Sequence, residues 1–173
     1  MRHVRYGGAM SLDGYIAGAN GEYDWIIMDP DIDFAAMTSR FDTFLIGRKT
    51  FEVMQRMKGG GGAMPGARSI VFSRTLKQAD HPDVTIEADA VRVVSELRSM
   101  PGKDIAVFGG GELARSLLEA GLVDTVEVSV VPVLLGGGIP LLPPPASRAK
   151  LVFRSHRVYP KSGIVTLEYD VAR

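Results

Sequence analysis

The chain has 173 residues, 46% of them hydrophobic, with twenty basic side chains against twenty acidic ones and no cysteine. That length suits one domain, residues 1–173, with a sizeable core. Zero net charge removes the overall field that would draw the chain to nucleic acid or an anionic membrane, and the lack of cysteine excludes disulfides, thiolate metal sites and a cysteine nucleophile.

No apolar run approaches the ~20 residues of a membrane helix. The opening MRHVRYGGAM lacks the apolar centre of a signal peptide. The expectation is a soluble, cytoplasmic protein. In chain order, the first strand pattern covers 4–10 and a polar turn region follows at 18–23. A weak helix pattern occupies 33–41. A strand at 43–46 runs into a helix at 48–57, with Phe51, Met54 and Met57 near one face. KGGGGAMPG, 58–66, carries five glycines and predicts an exposed loop. Strands follow at 69–72 and 84–86. Asp89 then stands as N-cap before a helix at 90–99 that stops at Pro101-Gly102. The strand at 105–108 leads into a helix at 112–120, closed by Gly121 as a C-cap glycine. Strands at 125–134, 150–159 and 164–171 finish the chain, with an irregular stretch at 140–145. Strand and helix alternate first and strands dominate last. This order predicts an α/β fold, a largely parallel, helix-covered sheet with antiparallel strands added at the end.

IAVFGGGELARSLLEAG, 105–121, sets three glycines between strand and helix. Such a run lets backbone N–H groups point outward with no Cβ in the way, at the positive end of a helix dipole, and so suits an anion such as a pyrophosphate. It is not GxGxxG, and the acidic ribose-binding residue of that fingerprint is missing, so a Rossmann reading loses ground. A plain tight turn packed on the sheet is the competing reading. A second junction, FLIGRKTF, sets Gly47 after a strand and Arg48, Lys49 and Thr50 at a helix start. Cations there are disfavoured by roughly 0.3–1 kcal/mol each unless an anion binds. A third, VFSRTL, sets Ser73 and Arg74 just past another strand. Three strand ends with glycines, hydroxyls and arginines fit an extended ligand with several phosphates, lying across the C-terminal sheet edge.

MSLDGYIAG, LIGRKTF, PGARSIVFSRTL and VFGGGELARSLLEAGLVDTVEVSVVPVLLGGG, in this order, resemble the dihydrofolate reductase-like superfamily. The nearest branch is the reductase domain of bacterial riboflavin biosynthesis, in stand-alone form. The likeness runs from about residue 4 to 171. It implies a three-layer fold with a mixed, mostly parallel eight-stranded sheet flanked by helices, and NADPH as cofactor. By this resemblance Ala9 and Ile16 line the nicotinamide pocket. Arg48, Lys49 and Thr50 lie at the adenine-side phosphates, with Thr50 nearer the pyrophosphate. Ser73 and Arg74 hold the ribose 2′-phosphate, and Phe72 flanks the adenine. Gly109, Gly110 and Gly111 meet the pyrophosphate, and Gly47, Phe108, Glu112 and Leu113 complete the cofactor site. Asp13 belongs to the loop that closes over the nicotinamide, and Trp25 stands near the substrate mouth; both are substrate-side candidates.

The resemblance also implies a substrate-binding, proton-relaying carboxylate on the helix before the GRKT-type motif. Counted back from Gly47, Asp31 lies at the matching distance and Asp33 two further on, and the sequence does not choose between them. A helix cap is the competing role for Asp31. Ala114 stands where dihydrofolate reductases have tyrosine, which favours the riboflavin-type branch. No Cys/His zinc signature of the fused deaminase is present. The leading reading is an NADPH-dependent reductase of a small heterocycle, similar to 5-amino-6-(5-phosphoribosylamino)uracil reductase. The alternatives are a dihydrofolate or pterin reductase and a non-catalytic NADP-binding module. No GxxxxGK[ST] loop, G-x-S-x-G elbow or metal cluster supports a kinase or hydrolase. His3, His81 and His156 are scattered and read as surface or strand residues. Members of the riboflavin branch often dimerise. On that ground a homodimer is predicted; of the long apolar segment VEVSVVPVLLGGGIPLL, 126–142, part is expected in the core and part is open to pairing with a second copy.

Overall fold

Runs of β-branched and aromatic residues become strands, and the apolar three-four spacing between them becomes helices. The computed structural model describes residues 1–57 and 62–172. The strands are β1 (Val4–Ser11), β2 (Tyr15–Ala17), β3 (Phe41–Gly47), β4 (Arg68–Phe72), β5 (Thr85–Glu87), β6 (Asp104–Gly109), β7 (Thr125–Val131), β8 (Ile139–Pro140), β9 (Leu151–Tyr159) and β10 (Ile164–Val171). The helices are α1 (Phe34–Ser39), α2 (Arg48–Arg56), α3 (Ala90–Ser99) and α4 (Gly111–Glu119).

Eight strands form one sheet in the order β5-β4-β3-β6-β1-β7-β10-β9, and β2 pairs with β8 in a small second sheet. Every pairing from β5 through to β7 is parallel, while β10 runs antiparallel to both β7 and β9. The predicted mixed sheet with its antiparallel end is what forms. The two short strands were not predicted, and β8 ends at Pro140, where the stretch expected to be irregular begins.

Period-two alternation divides each strand between two faces. On β6, Ile105 and Val107 enter the larger core under α3 and α4, with Val4, Tyr6, Leu45 and Leu117. Ala106 faces the other way, into a smaller core with Phe44, Ile46 and Phe51 of α2. Fully burying one such aliphatic or phenyl side chain is worth about 1.5–3 kcal/mol. Asp89 caps α3 by accepting from the Arg92 N–H at 3.0 Å. Gly121, at φ 67°, closes α4, with Gly121 N–H on the Leu118 carbonyl and Leu122 N–H on the Leu117 carbonyl, a paired closure that needs a left-handed residue.

Two expectations are refined. Residues 58–61 of the glycine-rich loop lie outside the described residues, and the part that follows is not simply exposed. Gly62 is buried against Phe51, and Ala63 and Met64 pack on the smaller core. Within the segment 126–142, β7 is the part that joins the core and is closed to further pairing, with β1 on one side and β10 on the other. The sheet's edges are β5 and β9, and on β9 Leu151, Val152, Phe153 and Val158 are 40–57% exposed.

Arg98 of α3 and Asp124 before β7 form a buried ion pair at 2.9 Å, and Asp124 also accepts from the Val4 N–H at 2.9 Å. Replacing Asp124 with alanine strands a buried guanidinium, a loss of about 3–5 kcal/mol. Urea unfolding should report a destabilisation of that size; a loss within ~0.5 kcal/mol, ordinary for surface changes, would refute it.

Candidate active site

Because β1, β3, β4 and β6 are parallel, their C-terminal ends share one rim. Register makes the three junctions singled out above neighbours: Gly47 lies opposite Phe72, and Ile46 opposite Gly109. Contact is at the level of backbone. A Cβ on Gly47 would sit 3.1 Å from the Gly110 nitrogen and 3.3 Å from the Gly109 carbonyl oxygen. A Cβ on Gly109, whose φ is 155°, would sit 2.9 Å from Thr50 Oγ1. The Gly109–Gly110 peptide is cis. Gly111 is pressed from another side, where a Cβ would meet Pro143 Cδ at 2.6 Å and the Pro140 carbonyl oxygen at 3.0 Å. Two crossover turns thus touch along a seam that only glycine permits.

The charge pattern at the seam is selective. α1 and α3 are capped by the carboxylates of Asp33 and Asp89. α2 and α4 start at Gly47 and Gly110 with no side-chain cap. Each helix start leaves four N–H groups without intrahelical partners and carries about half a positive charge. Two such starts meeting at one seam form a cradle for an anion. Arg48 is paired with Glu52 at 2.6 Å, so its misfit with the α2 dipole is partly relieved within the chain; Lys49 is exposed. Beyond β4, the Ser73 hydroxyl oxygen accepts from the Thr75 and Leu76 N–H groups at 3.1 and 3.0 Å, which shapes the turn that presents exposed Arg74. Glu112 is exposed in the first turn of α4, whereas the Leu113 side chain is 8% exposed in the main core. The Leu113 side chain thus points away from the rim, and its backbone is the part near the start of α4.

On the other side of the rim, Ala9 and Trp25 come together in an apolar cluster with Ile32, Val131 and Ile164. Trp25 also borders a groove of about 540 Å³ beside Glu22 and Gly136. Ile16 is half-buried on β2. Asp13 accepts from the Ser11 hydroxyl at 2.6 Å and from the N–H groups of Leu135 and Gly136 at 3.1 and 2.8 Å. Its carboxylate ties the loop after β1 to the loop after β7, and these bonds, the Ser11 one first, hold its pKa below the usual carboxylate value.

The acidic stretch DPDIDF resolves into three different roles. Asp33 caps α1 through the Ala36 N–H at 2.8 Å. Asp31 is exposed and ion-paired with Lys161 at 2.8 Å. Asp29, which the sequence pattern did not single out, is 2% exposed and accepts from the Asp31 and Ser162 N–H groups at 2.8 and 3.0 Å. Ser162 first, then the Asp31 N–H and nearby Lys161, lower its pKa. Both predicted catalytic carboxylates are therefore already engaged within the chain. A second hollow, about 520 Å³, opens at the opposite end of the sheet beside Arg2, Arg98 and Arg154, far from the glycine seam.

The family described as the RibD C-terminal domain matches residues 2–165. The uncharacterized protein YyaP of Bacillus subtilis (strain 168) is 36% identical over 171 residues, covering 93% of this chain and 90% of that protein. A crystal structure from Shewanella sp. PV-4, assigned to riboflavin biosynthesis, superposes with a TM-score of 0.81 at 25% identity over 100% of both chains. Dihydrofolate reductase from Enterococcus faecalis, complexed with NADP(H), shares the fold with a TM-score of 0.73 at 16% identity, over 99% of this chain and 97% of that one.

Gly109→Ala should lower stability by roughly 1–3 kcal/mol through overpacking against Thr50, read in urea unfolding; an unchanged midpoint would contradict the seam. Asp13 and Asp29 have folded pKa values below their ordinary 3.8. Their stabilisation is therefore complete above that value and is lost as pH falls through the lowered folded values. Melting temperature measured from pH 6 down to pH 3 should fall less steeply in an Asp13→Asn, Asp29→Asn double variant than in the parent. Parallel curves would remove these carboxylates from the acid response.

Proposed function

The chain belongs to the RibD C-terminal domain family, and on that footing we propose that it is an NADPH-dependent reductase of a small heterocycle. The observation that carries this reading is the pair of uncapped helix starts meeting at the glycine seam. A pyrophosphate supplies the negative charge that Asp33 and Asp89 supply to the other helices. When bound, NADPH supplies a hydride for a C=N or C=O carbon of the heterocycle, and a proton completes the reduction.

The chain's own part is orientation and electrostatics. Backbone N–H groups of Gly110 and Gly111, with the Thr50 hydroxyl, hold the pyrophosphate. Arg48 and Lys49 stand at the adenine-side phosphates, Ser73 and Arg74 take the ribose 2′-phosphate, and Phe72 flanks the adenine. Ala9 and Ile16 face the nicotinamide. Asp31 and Asp33 are the proton-relay candidates, and the engagement of both favours a second reading, an NADP-binding module without turnover. Rapid reduction of any member of a panel of pterins and aminopyrimidine ribosides excludes that second reading. As partner we propose a second copy of the chain, meeting it at the free edge of β9; light scattering at micromolar concentration should give a dimer mass, and a monomer mass would refute it.

Titration with NADPH, followed by Trp25 fluorescence, should give saturable binding; none at millimolar concentration would end the reductase reading. Arg74→Ala removes a charge-assisted contact to the 2′-phosphate, worth about 1.5–3 kcal/mol. It should weaken NADPH about tenfold or more and leave NADH nearly unchanged. Equal losses for both would displace Arg74 from that role.

A further inference from the structure

The face of the sheet opposite α3 and α4 holds a slot beside the glycine seam. β1 is flanked by β6 and β7, and Gly7 at its middle is in register with Glu127 of β7. Tyr6 is in register with Val107, so Phe108 lies on the other flank of the same level. The three share one face. A Cβ on Gly7 would run into the Glu127 carbonyl oxygen, with Glu127 Cβ at 3.4 Å, so this level of β1 stays bare, and the Phe108 ring meets the Phe44 ring of the smaller core at 6.1 Å. The result is an aromatic wall, a floor without a side chain, and a carboxylate, spread over two strand spacings of about 10 Å. That is the width of a flat ring system.

The roof is α1, which has no buried residue and leaves Phe34 and Met37 43% and 37% exposed. The segment leading to it is tied to the β9–β10 turn by Asp29 and Asp31. Its other end is tied by Arg40, whose Nη2 donates to the two Glu127 oxygens at 3.2 and 3.1 Å. It therefore bridges the sheet without packing down on it.

Glu127 breaks a local rule. Its direct cross-strand partner is Glu168, and like charges so placed are destabilising. Glu168 is neutralised by Arg5 at 2.8 Å and Arg154 at 3.7 Å. Glu127 is paired with the half-exposed Arg40, which reaches both its oxygens from a single nitrogen, and a carboxylate offers about four acceptor positions, so it keeps acceptor capacity beyond that pair. Unlike Asp31 and Asp33, it stands inside the slot.

Resting on the heterocycle-reductase reading, we infer that Glu127 is the specificity-determining residue of the substrate slot, accepting paired N–H donors from a flat heterocycle that stacks on Phe108. The ligand class is an amino-substituted ring whose exocyclic amine and adjacent ring N–H lie side by side. A ring with a carbonyl in place of that amine meets the carboxylate with a lone pair and is rejected.

Pterin and lumazine test this, because they share size and shape and exchange the 2-amino donor for a 2-oxo acceptor. Binding of each is followed by its own fluorescence, with and without NADPH. The parent should prefer pterin by about tenfold or more, the effect of one charge-assisted pair. In Glu127→Gln the preference should fall below about twofold, with NADPH affinity unchanged. Glu127→Asp, which withdraws the carboxylate by one methylene, serves if the amide variant fails to fold and should lose the preference likewise. Phe108→Leu should weaken both probes equally and keep the preference. An undiminished preference in the Glu127 variants, no preference in the parent, or binding of neither probe would overturn the inference. Failure of NADPH alone would sink the cofactor reading, and the probe measurements without cofactor would then decide the role of Glu127.

Discussion

The contact between the turn after β3 and the turn after β6 is the constraint on which the rest depends. The two strands are hydrogen-bonded neighbours, and helices must leave both at the same rim. With any side chain at Gly47 or Gly109 the turns would be pushed apart. With none, the starts of α2 and α4 converge, and their unpaired N–H groups add rather than act singly. Packing and electrostatics are thus one feature: the glycines let the backbones approach, and the approach concentrates positive potential where no carboxylate caps it.

The second half of the site is built by different means. β1, near the centre of the sheet, carries no bulky side chain at Gly7 or Ala9 on the face away from α3 and α4, and Ala9 is covered there by the apolar cluster that includes Trp25. The loops that fence this floor are held by carboxylates used as acceptors: Asp13 joins the loops after β1 and β7, and Asp29 joins the strap before α1 to the turn between β9 and β10. Each satisfies backbone N–H groups that would otherwise need water. Asp13, a substrate-side candidate in the sequence, and Asp29, which the sequence did not single out, both serve as clasps.

Much of the fold was legible, because long alternating runs and capped helices are local signals. Asp89, Gly121 and the strand-to-helix glycines announced themselves. β2 and β8 did not, since strands of three and two residues flanked by glycine and proline carry no period to read. The position of β7 inside the sheet depends on which partners a strand finds at long range, which a local apolar run such as 126–142 cannot express. The rim was legible because glycines at strand ends have few other uses; the carboxylates were not, because counting back from Gly47 gives a distance along the chain and not a direction. The alternation VEVSV did hold a usable signal: with Val126 and Val128 committed to the core, Glu127 and Ser129 had to face the other way.

The exposed edge of β9 bears on how the protein behaves in bulk. A chain with no net charge has little long-range repulsion to hold its copies apart near neutral pH, and an edge strand of nine residues, paired on one side only, offers a ready template for further strands. The same stripe that would let two molecules join in an ordered way would, once heat or mutation loosened the neighbouring β10, recruit chains without limit. Colloidal lifetime in storage is therefore sensitive to this flank of the sheet, remote from the glycine seam.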